Sequence, residues 1–508
     1  MTVGALLQLE YGTTDRMAFL TQNPQITHFK SVYKKYTNFA IQFITLAPTS
    51  SSATLTWDQD TQYTFKIPRD GDAIRDMYLT IELPDIYSDI NYQFQWIKRI
   101  GEYIVKDVSI QIDTAQNVDK HYSEWFHAYS ELNYNEGKKK GYYKMIGNVP
   151  EIYDPPNAPG NNGQYPSSGY GPSIINRKIY LPLIFWFNKY ASVSLPLIAI
   201  QKSEIYINFT FRKLQELYTV IDYAGVSGGT GYRVKPTKTN HYIGNFIKPI
   251  ATSQNSLNIN PLIEINNIFL DNEERKRFAL SSHDYLITQL QAIKNTYSYG
   301  KNIIFDLTNI NKPVTELIFL ARRSDMEDVN DWSNYTNWNL EDIPPYSNGY
   351  INKYGSPLTI NSNNIQYYKT RNLLKSANLK IQTQPITDSG HTKDNDSNTI
   401  KLLDGKDFVF YNLMQNFNSN TNMPDEGIYT YSFSLDNSSL QPIGAINMSS
   451  INKKEIIINL TDIYNTNIGG GGYNYPSGKP YIYTVYVFAV NYDIFKILGG
   501  MAGTMTSN

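Results

Sequence analysis

Two histidines, His121 and His127, are the residues whose type most readily suggests metal chemistry, and they flank the aromatic pair Trp125 and Phe126. Zinc-binding helices carry the pattern His-Glu-x-x-His, and the spacing His-x5-His found here does not match it. The closer His-x-His arrangement occurs nowhere in the sequence. We therefore interpret both imidazoles as packed or surface side chains and expect no metal site.

Carboxylates are the second group that could do chemistry, as calcium ligands or as the acid and base of a glycosidase. They fall in two polar runs, Asp388, Asp394 and Asp396 in one and Asp325, Glu327, Asp328 and Asp331 in the other. The first run lacks the glycine and the terminal glutamate of an EF-hand loop. No feature of the linear sequence singles out a catalytic pair. We interpret both runs as solvated loops and expect neither a cofactor nor enzymatic activity.

Three further motifs could each be a functional site or an ordinary surface segment. The four glycines at 469–472 lack the Lys-Ser/Thr ending of a phosphate loop, so we interpret them as a flexible connection. The basic run 138–140 could contact anionic lipid or nucleic acid, but a solvated loop is the simpler hypothesis. Asn-x-Ser/Thr patterns are frequent in so asparagine-rich a chain, and they leave glycosylation open. They stand at Asn208, Asn334, Asn395, Asn437, Asn447 and Asn459.

Charge and composition exclude several classes of protein. The 45 Lys and Arg residues nearly balance the 46 Asp and Glu residues, whereas a chain that wraps nucleic acid would show a basic surplus. We therefore expect no direct nucleic-acid binding. The chain has no cysteine, which excludes disulfides and thiolate metal sites. We expect neither an export signal nor a membrane helix, because no basic n-region and no run of about 20 apolar residues occurs.

Period-two alternation of apolar and polar residues dominates the sequence and predicts half-buried strands. The 42 tyrosines fit such a β-rich chain, since flat rings suit a pleated surface. The alternation is clearest at 62–67, 77–83, 108–113 and 204–211, and strand-like runs return at 428–435, 456–460 and 481–492. Helical periodicity is scarce, and we predict short helices only at 118–132 and 282–291.

Glycine and proline divide the chain into two β-rich halves, with the most probable linker at about 222–240. Long polar stretches at 136–172, 325–400 and 469–480 are typical of exposed loops. A length of 508 residues allows roughly two to four domains. Many short strands in two successive units indicate two β-sandwiches in one chain.

Several segments resemble the major capsid proteins of the nucleocytoplasmic large DNA viruses. The N-terminal part of that resemblance lies at 4–9, 20–30 and 32–40, and residues 180–187 (YLPLIFWF) and 195–200 (LPLIAI) resemble the end of the family's first jelly roll. The second half is similar at 269–278, 282–287, 429–433, 441–442, 487–492 and 499–503. These matches are collinear and span almost the whole chain.

The resemblance implies an all-β fold of two consecutive eight-stranded jelly-roll sandwiches, with long loops and a few short helices. It places an N-terminal arm at 1–37, the first jelly roll at 38–220 and a linker at 221–260. The second jelly roll follows at 261–495, with a long exposed insertion near 325–400, and a C-terminal tail at 496–508. We expect the insertion on the outer side of the particle and the arm near its base.

The resemblance also implies a structural function. Members of this family associate as homotrimers, and the pseudo-hexameric capsomers tile the icosahedral outer shell of a large double-stranded DNA virus. The expected partners are further copies of the chain, neighbouring capsomers, minor capsid and penton proteins, and inner-membrane proteins near the arm. The expected location is the virion shell, assembled in the host cytoplasm. The alternative is a glycan- or receptor-binding β-sandwich of the lectin or spike kind, with a carbohydrate-active enzyme third.

Overall fold

The computed structural model describes most of the chain in two compact units, residues 1–39 and 40–508. The described residues are 2–6, 19–49, 54–89, 91–113, 116–166, 171–223, 232–247, 255–300, 302–327, 329–337, 371–382, 384–387, 391–393, 400–402, 405–461 and 482–505. The first unit carries large apolar side chains that are exposed, among them Phe19, Phe29 and Val32. In the described ranges no helix has the length and apolarity needed to cross a membrane.

The strands of the first half form one sandwich. They are β1 (Phe39–Leu46), β2 (Thr54–Thr56), β3 (Thr61–Lys66), β4 (Ala73–Leu83), β5 (Tyr92–Trp96), β6 (Val105–Ile112), β7 (Gln116–Tyr122), β8 (Arg177–Pro182), β9 (Ile205–Phe211), β10 (Tyr218–Asp222), β11 (Tyr232–Val234), β12 (Ser256–Asn258) and β13 (Leu262–Leu270). Its two main sheets have the orders β1-β13-β4-β8 and β3-β9-β6-β7. A smaller sheet, β11-β10-β5, and the pair β12-β2 complete it.

The strands of the second half form an equivalent sandwich. They are β14 (His283–Tyr297), β15 (Ile303–Asp306), β16 (Pro313–Arg323), β17 (Leu374–Ile381), β18 (Gln384–Pro385), β19 (His391–Lys393), β20 (Ile400–Leu402), β21 (Ile428–Ser432), β22 (Ile446–Asn447), β23 (Lys454–Leu460), β24 (Tyr483–Leu498) and β25 (Met501–Thr504). The main sheets have the orders β14-β24-β16-β21 and β15-β23-β17-β18. Strands β22 and β25 extend the first of them, and β19 pairs with β20.

Both sandwiches have the same topology, because in each half the chain crosses repeatedly between two sheets and the last main strand pairs with the first. This Greek-key order is that of a jelly roll. The predicted fold class, two consecutive jelly-roll sandwiches, is confirmed. The sheets remain open at their edges.

The alternating sequence patterns produce the sandwich cores. In β3 the buried residues Tyr63 and Phe65 stand opposite Phe209 and Ile207 of β9, so that aromatic and branched side chains meet on the inner face of the sheet. The polar residues between them point to the other face, as the two-residue period of a strand requires. Each buried aromatic residue of this kind removes about 150–250 Å² from water, which makes these pairs a main source of stability.

The helices are short and lie in the connections between strands. They are α1 (Ile100–Tyr103), α2 (Ser123–Asn133), α3 (Glu136–Met145), α4 (Pro150–Tyr153), α5 (Trp186–Lys189), α6 (Asn272–Leu280), α7 (Ser324–Glu327), a π-helix (Phe410–Met414) and α8 (Gln415–Asn418). Short 3₁₀ turns occur at Pro155–Asn157, Ala191–Val193, Leu197–Ala199, Leu214–Glu216, Thr239–His241, Ile243–Asn245 and Met448–Ser450. The prediction of a long exposed loop at 136–172 is wrong at its start, where α3 and α4 form.

One predicted helix is a strand. Residues 282–291 lie almost entirely in β14, which pairs along its whole length with β24, from His283 opposite Ile497 to Tyr297 opposite Tyr483. The segment has many β-branched and aromatic residues, and fifteen cross-strand partners outweigh a weak helical period. The predicted helix at 118–132 forms only from Ser123 onward, because its first residues belong to β7.

The segments expected to link the sandwiches and to end the chain are more structured than predicted. Within 221–260, β11 and β12 pair with strands of the first sandwich, and His241, Ile243 and Phe246 are buried. Strand β13, assigned from sequence to the second jelly roll, pairs with β4 and completes a sheet of the first. The expected tail begins inside β24 and continues into β25. These strands form by pairing with segments elsewhere in the fold, and the residue pattern of each segment alone does not predict that pairing.

The predicted exposed insertion near 325–400 is also shorter than expected. Most of residues 324–337 are buried, and β17 is a central strand whose Ala377 and Leu379 lie in the core of the second sandwich. Polar composition misled the prediction here, because Asp325, Asn330, Asp331, Asn334 and Asn337 are buried and form hydrogen bonds with other protein groups. The interval 338–370 lies outside the described residues.

Candidate functional site: the interface between the two sandwiches

The two sandwiches meet where β7 and α2 of the first pack on the sheet β14-β24-β16-β21 of the second. The Gln289 side-chain amide donates to the carbonyl oxygen of Val118 at 2.7 Å, and the Leu290 N–H donates to Asp119 Oδ1 at 3.0 Å. The Trp125 ring centroid lies 5.8 Å from that of Phe488. A helix-bearing connection of one sandwich therefore covers a sheet of the other.

This sheet of the second sandwich is buried on both faces. In β16 and β24, Leu317, Phe319, Val485 and Val487 point into their own core, while Ile318, Leu320, Tyr486, Phe488 and Val490 belong to the hydrophobic cluster of the first half. Because successive side chains of a strand point to opposite faces, β16 and β24 contribute to the cores of both sandwiches. An apolar run such as β24 is the sequence signal of a doubly covered strand.

A buried ionic cluster lies at the centre of the contact; we call Glu124, Arg212, Arg322, Trp332 and Tyr486 the arginine–tryptophan cluster. Arg322 is 1% exposed. Its Nη2 donates to the Tyr486 hydroxyl at 2.7 Å, its Nη1 to the Trp332 carbonyl oxygen at 3.0 Å, and Nη1 lies 3.5 Å from Glu124 Oε1. Arg212 Nη2 lies 3.3 Å from the same carboxylate oxygen.

The two guanidinium groups also lie over the ring of Trp332, Arg212 at 4.6 Å and Arg322 at 4.9 Å from the ring centroid. Desolvated cation–π contacts of this kind contribute about 2 kcal/mol. Burial alone raises the pKa of the Glu124 carboxyl, but Arg212 and Arg322 together outweigh that effect, so its pKa lies below the ordinary value. The cluster therefore joins charges from both sandwiches in an ionised state.

The segment that follows β16 also bonds to the first sandwich. The Asn330 side-chain amide donates to the carbonyl oxygens of Gln215 and Tyr218, and Trp332 Nε1 donates to that of Glu216 at 2.9 Å. The Tyr335 hydroxyl lies 2.8 Å from that of Tyr103. Sequence reasoning missed this role, although a tryptophan and a tyrosine inside an otherwise polar stretch were a signal for it.

A second buried ionic cluster supports α2 within the first sandwich. Arg99 donates to Glu102 from Nε at 2.6 Å and from Nη2 at 2.9 Å, and its Nη1 donates to Glu131 at 2.9 Å. Lys139 completes the cluster through Glu131 at 2.8 Å. Lys139 belongs to the basic run 138–140, so that run lies in α3 and one of its three lysines is a buried structural partner.

The histidine positions proposed from sequence are structural in their contacts. His121 Nε2 lies 3.0 Å from Asp119 Oδ2, and its ring stacks on Phe185. His127 Nδ1 lies 2.9 Å from the Tyr103 hydroxyl, and burial holds the pKa of His127 well below its ordinary value. Within the described ranges no cluster of three or more potential metal ligands occurs.

The remaining sequence motifs are partly placed. Asp325 forms two hydrogen bonds with Arg323, and Glu327 accepts one from Arg322. Asp325 and Asp331 are buried, so the interpretation of this carboxylate run as a solvated loop is wrong. Asn334 is fully buried. Asn208 lies in β9, Asn437 donates to Glu316, and Asn459 donates to Ser376. Asp328, Asp388, Asp394, Asp396, Asn395 and the glycines at 469–472 lie outside the described residues.

A cavity of about 80 Å³ lies between the sandwiches beside this interface. Its lining is mostly aromatic on the side of the first sandwich and includes the carboxyl group of Glu316 on the other. Among the lining residues are Trp125, Tyr129, Trp186, Lys189, Tyr190, Leu286, Glu316, Asn437, Val490 and Tyr492. Burial raises the pKa of Glu316 to about 7, although Lys189 and a hydrogen bond from Asn437 oppose the shift. The ionised form of this carboxyl group is therefore destabilised by its burial at the interface.

We expect the substitution Glu316→Gln to stabilise the chain at pH 8 by about 3 kcal/mol, at about 1.4 kcal/mol for each pKa unit of difference from the unfolded state. The folded carboxyl has the higher pKa, so its contribution to stability is present below pH 4.5 and is lost as the pH rises through 7. Urea unfolding at pH 5 and pH 8 measures the effect. The exposed Glu273→Gln is the control, and an equal response of both variants to pH would contradict the assignment.

The structure resembles solved viral capsids. It superposes on the capsid of PBCV-1 with a TM-score of 0.65 at 23% identity, covering 95% of this chain and all of that one. The Faustovirus major capsid protein gives a TM-score of 0.61 at 12% identity, covering 97% and 96% of the two chains. At these identities the likeness establishes the fold alone. That fold, with two jelly rolls in one chain, defines the class of double jelly-roll proteins.

Sequence comparison narrows the class to a family. Residues 27–254 match the model of the major capsid protein N-terminus, and residues 274–503 match that of the large eukaryotic DNA virus major capsid protein. The major capsid protein of Phaeocystis pouchetii virus is 28% identical over 99% of this chain and its own full length, and that of Paramecium bursaria Chlorella virus 1 is 26% identical over the same shares. The chain belongs to the major capsid proteins of large eukaryotic DNA viruses.

Proposed function

We propose that the chain forms homotrimers, and that these pseudo-hexameric capsomers tile the icosahedral outer shell of a large double-stranded DNA virus. The observation that carries the proposal is the repeated topology, since two jelly rolls with the same strand order occur in one chain. Three such chains supply six similar corners, and a ring of three head-to-tail contacts closes on itself. A tile of this kind packs against like tiles.

Contacts within a trimer and contacts between capsomers need different surfaces. The contacts within a trimer are those of an obligate assembly, which bury large, apolar areas. Contacts between capsomers are repeated many times over a shell, so each of them can be small and hydrated. The role is structural, without catalysis, and the interface described above serves it by holding the two jelly rolls of one chain in a fixed orientation.

Further partners follow from the same role. They are neighbouring capsomers, minor capsid and penton proteins, and inner-membrane proteins near the N-terminal arm. The exposed Phe19, Phe29 and Val32 support an arm that is covered by other components in the particle, since exposed large apolar groups mark interaction sites. The chain resides in the outer shell of the virion, and the site of assembly is the host cytoplasm. Limited proteolysis of intact particles tests the arm, which is expected to resist cleavage.

Size-exclusion chromatography with light scattering on the purified full-length chain tests the assembly. We expect a particle with three times the mass of the chain, which negative-stain images show with a hexagonal outline. A folded chain that stays monomeric at every concentration would contradict the proposal and favour the glycan- or receptor-binding alternative. Binding to a glycan array by such a monomer would then be the deciding observation.

A further inference from the structure

The contact between the two sandwiches inside one chain uses one connection and one sheet. In the described residues of the single chain, the equivalent connection and the equivalent sheet do not meet. Inside the chain, the connection that follows β7 covers the outer face of the sheet β14-β24-β16-β21. By strand order, the equivalent connection follows β18, and the equivalent sheet is β1-β13-β4-β8. We propose that the helix at 408–418 of one copy packs on the outer face of the sheet β1-β13-β4-β8 of a second copy. This inference rests on the proposed trimer and identifies the surfaces that close it.

The helix at 408–418 carries apolar side chains on both sides. Phe408 and Phe410 pack on the core of the second sandwich. On the inner side, the Tyr411 hydroxyl donates to the Ala377 carbonyl oxygen at 2.9 Å, and the Asn412 amide donates to that of Ile428 at 2.8 Å. The outward positions Val409, Leu413 and Phe417 recur every four residues and are exposed, Phe417 to 75%. A surface helix normally has one apolar stripe, which lies on the core, so the additional stripe on the outside is unusual.

The shape of this helix also sets it apart. Residues 410–414 form a π-helical turn between regular α-helical ends. Such turns are rare and are found mostly at functional sites. The buried Tyr411 lies within this turn and packs in the core of the second sandwich, so the opposite face of the helix points away from that core.

The matching sheet carries an apolar outer face at its edge. In β1 the side chains of Ile44 and Leu46 pack on the core, so Ile41 and Phe43 point to the opposite side. Ile41 is 46% exposed and Phe43 is 58% exposed. An apolar edge strand of this kind invites association unless it is covered, and natural proteins normally blunt such edges with charge or proline.

The rest of that outer face is aromatic and carries few charges. Tyr78 of β4 and Tyr180 of β8 are half-buried on it. Lys178 Nζ lies 3.2 Å from Glu264 Oε1, and Glu82 stands opposite Lys178 in the neighbouring strand. The face thus has the aromatic, charge-poor character of an interface core.

The charge of the two surfaces determines which kind of partner can bind them. Residues 408–424 contain no charged side chain, so this surface has nothing to attract a phosphate backbone or an anionic membrane. The sheet face has no excess of positive charge either, since its Lys178 lies beside Glu264. Two largely apolar surfaces on the same chain, at positions equivalent to an interface already formed inside that chain, fit a second copy. Because the two surfaces differ, the contact is head-to-tail and closes as a ring.

Cysteine cross-linking tests the inference cleanly, because the chain has no cysteine of its own. The full-length double variant Phe417→Cys with Phe43→Cys is treated with a short bis-maleimide and run on a denaturing gel. We expect covalent dimers and trimers. The matched control, Leu280→Cys with Phe43→Cys, places one thiol at another exposed apolar position and should remain a monomer.

A second variant measures the same contact by affinity. Phe417→Asp is expected to weaken trimer association about 30-fold, the effect of losing an interface hot spot. Circular dichroism confirms that it folds. A stable trimer that neither cross-links at these positions nor responds to Phe417→Asp would overturn the inference and leave the proposed function standing. A wild-type chain that never associates would overturn both.

Discussion

The substitution Arg322→Met is expected to lower the free energy of unfolding by about 3–5 kcal/mol, the usual result of removing one member of a buried ion pair. Arg322 contacts Glu124, Glu327 and Tyr486 and lies over the ring of Trp332. Methionine fills part of the volume but leaves the Glu124 carboxylate with Arg212 as its remaining cation in the cluster. The loss falls on the interface, so the two sandwiches should also unfold less cooperatively.

Urea unfolding followed by tryptophan fluorescence measures this effect, since Trp125 and Trp332 lie in the interface. The control is Lys66→Met, which removes an exposed lysine paired with the equally exposed Glu204 and should cost at most about 1 kcal/mol. The double variant with Glu124→Gln should lose less than the sum of the single losses, because both substitutions remove the same interaction. Equal losses for Arg322→Met and the control would refute the role given to the cluster.

The substitution Arg99→Met is expected to have an effect of similar size, about 3–5 kcal/mol, because it strips the cation from two buried carboxylates. Glu102 would keep its hydrogen bond from the Tyr142 hydroxyl, and Glu131 would keep Lys139. Neither partner replaces the five-donor guanidinium that now bridges the two acids.

Acid unfolding gives a second measurement for Arg99→Met. Burial raises the pKa of Glu131, but Arg99 and the other cations nearby outweigh it and hold the pKa at about 2. The stability that this carboxylate contributes is therefore present above pH 4.5 and lost as the pH falls towards 2. Arg99→Met should move the acid-unfolding midpoint to higher pH, whereas Lys106→Met, at an exposed pair with Asp60, should not. An unchanged midpoint would contradict the assignment.

Strands with a clear two-residue period could be predicted from the sequence. The pattern at 62–67 became β3, that at 77–83 lies in β4 and that at 204–211 became β9, because each has one face on a core and one face away from it. The period alone says nothing of the partner strand. For that reason β13 was assigned to the second jelly roll, although it pairs with β4 some 190 residues earlier.

The interface could not be predicted because its residues have the polar composition of a solvated loop. Asn330, Asp331 and Asn334 have the composition of an exposed turn, and only the folded chain shows that Asn330 satisfies backbone carbonyl oxygens of the other sandwich. Likewise, Arg322 has the appearance of a surface charge in the sequence, because its partners Glu124 and Tyr486 come from distant segments. Buried polar networks depend on long-range geometry, and composition does not encode it.

The pairing of β1 with β13 has a consequence for biosynthesis. The first strand of the sandwich emerges from the ribosome more than two hundred residues before its neighbour, Leu262–Leu270. During that interval Ile44 and Leu46 lack the sheet that later places them on the core, and they are exposed to nascent chains of the same kind. Sheets of high contact order close slowly and are prone to aggregate while open. We expect productive synthesis at high copy number to depend on a folding helper that shields this strand until translation passes residue 270.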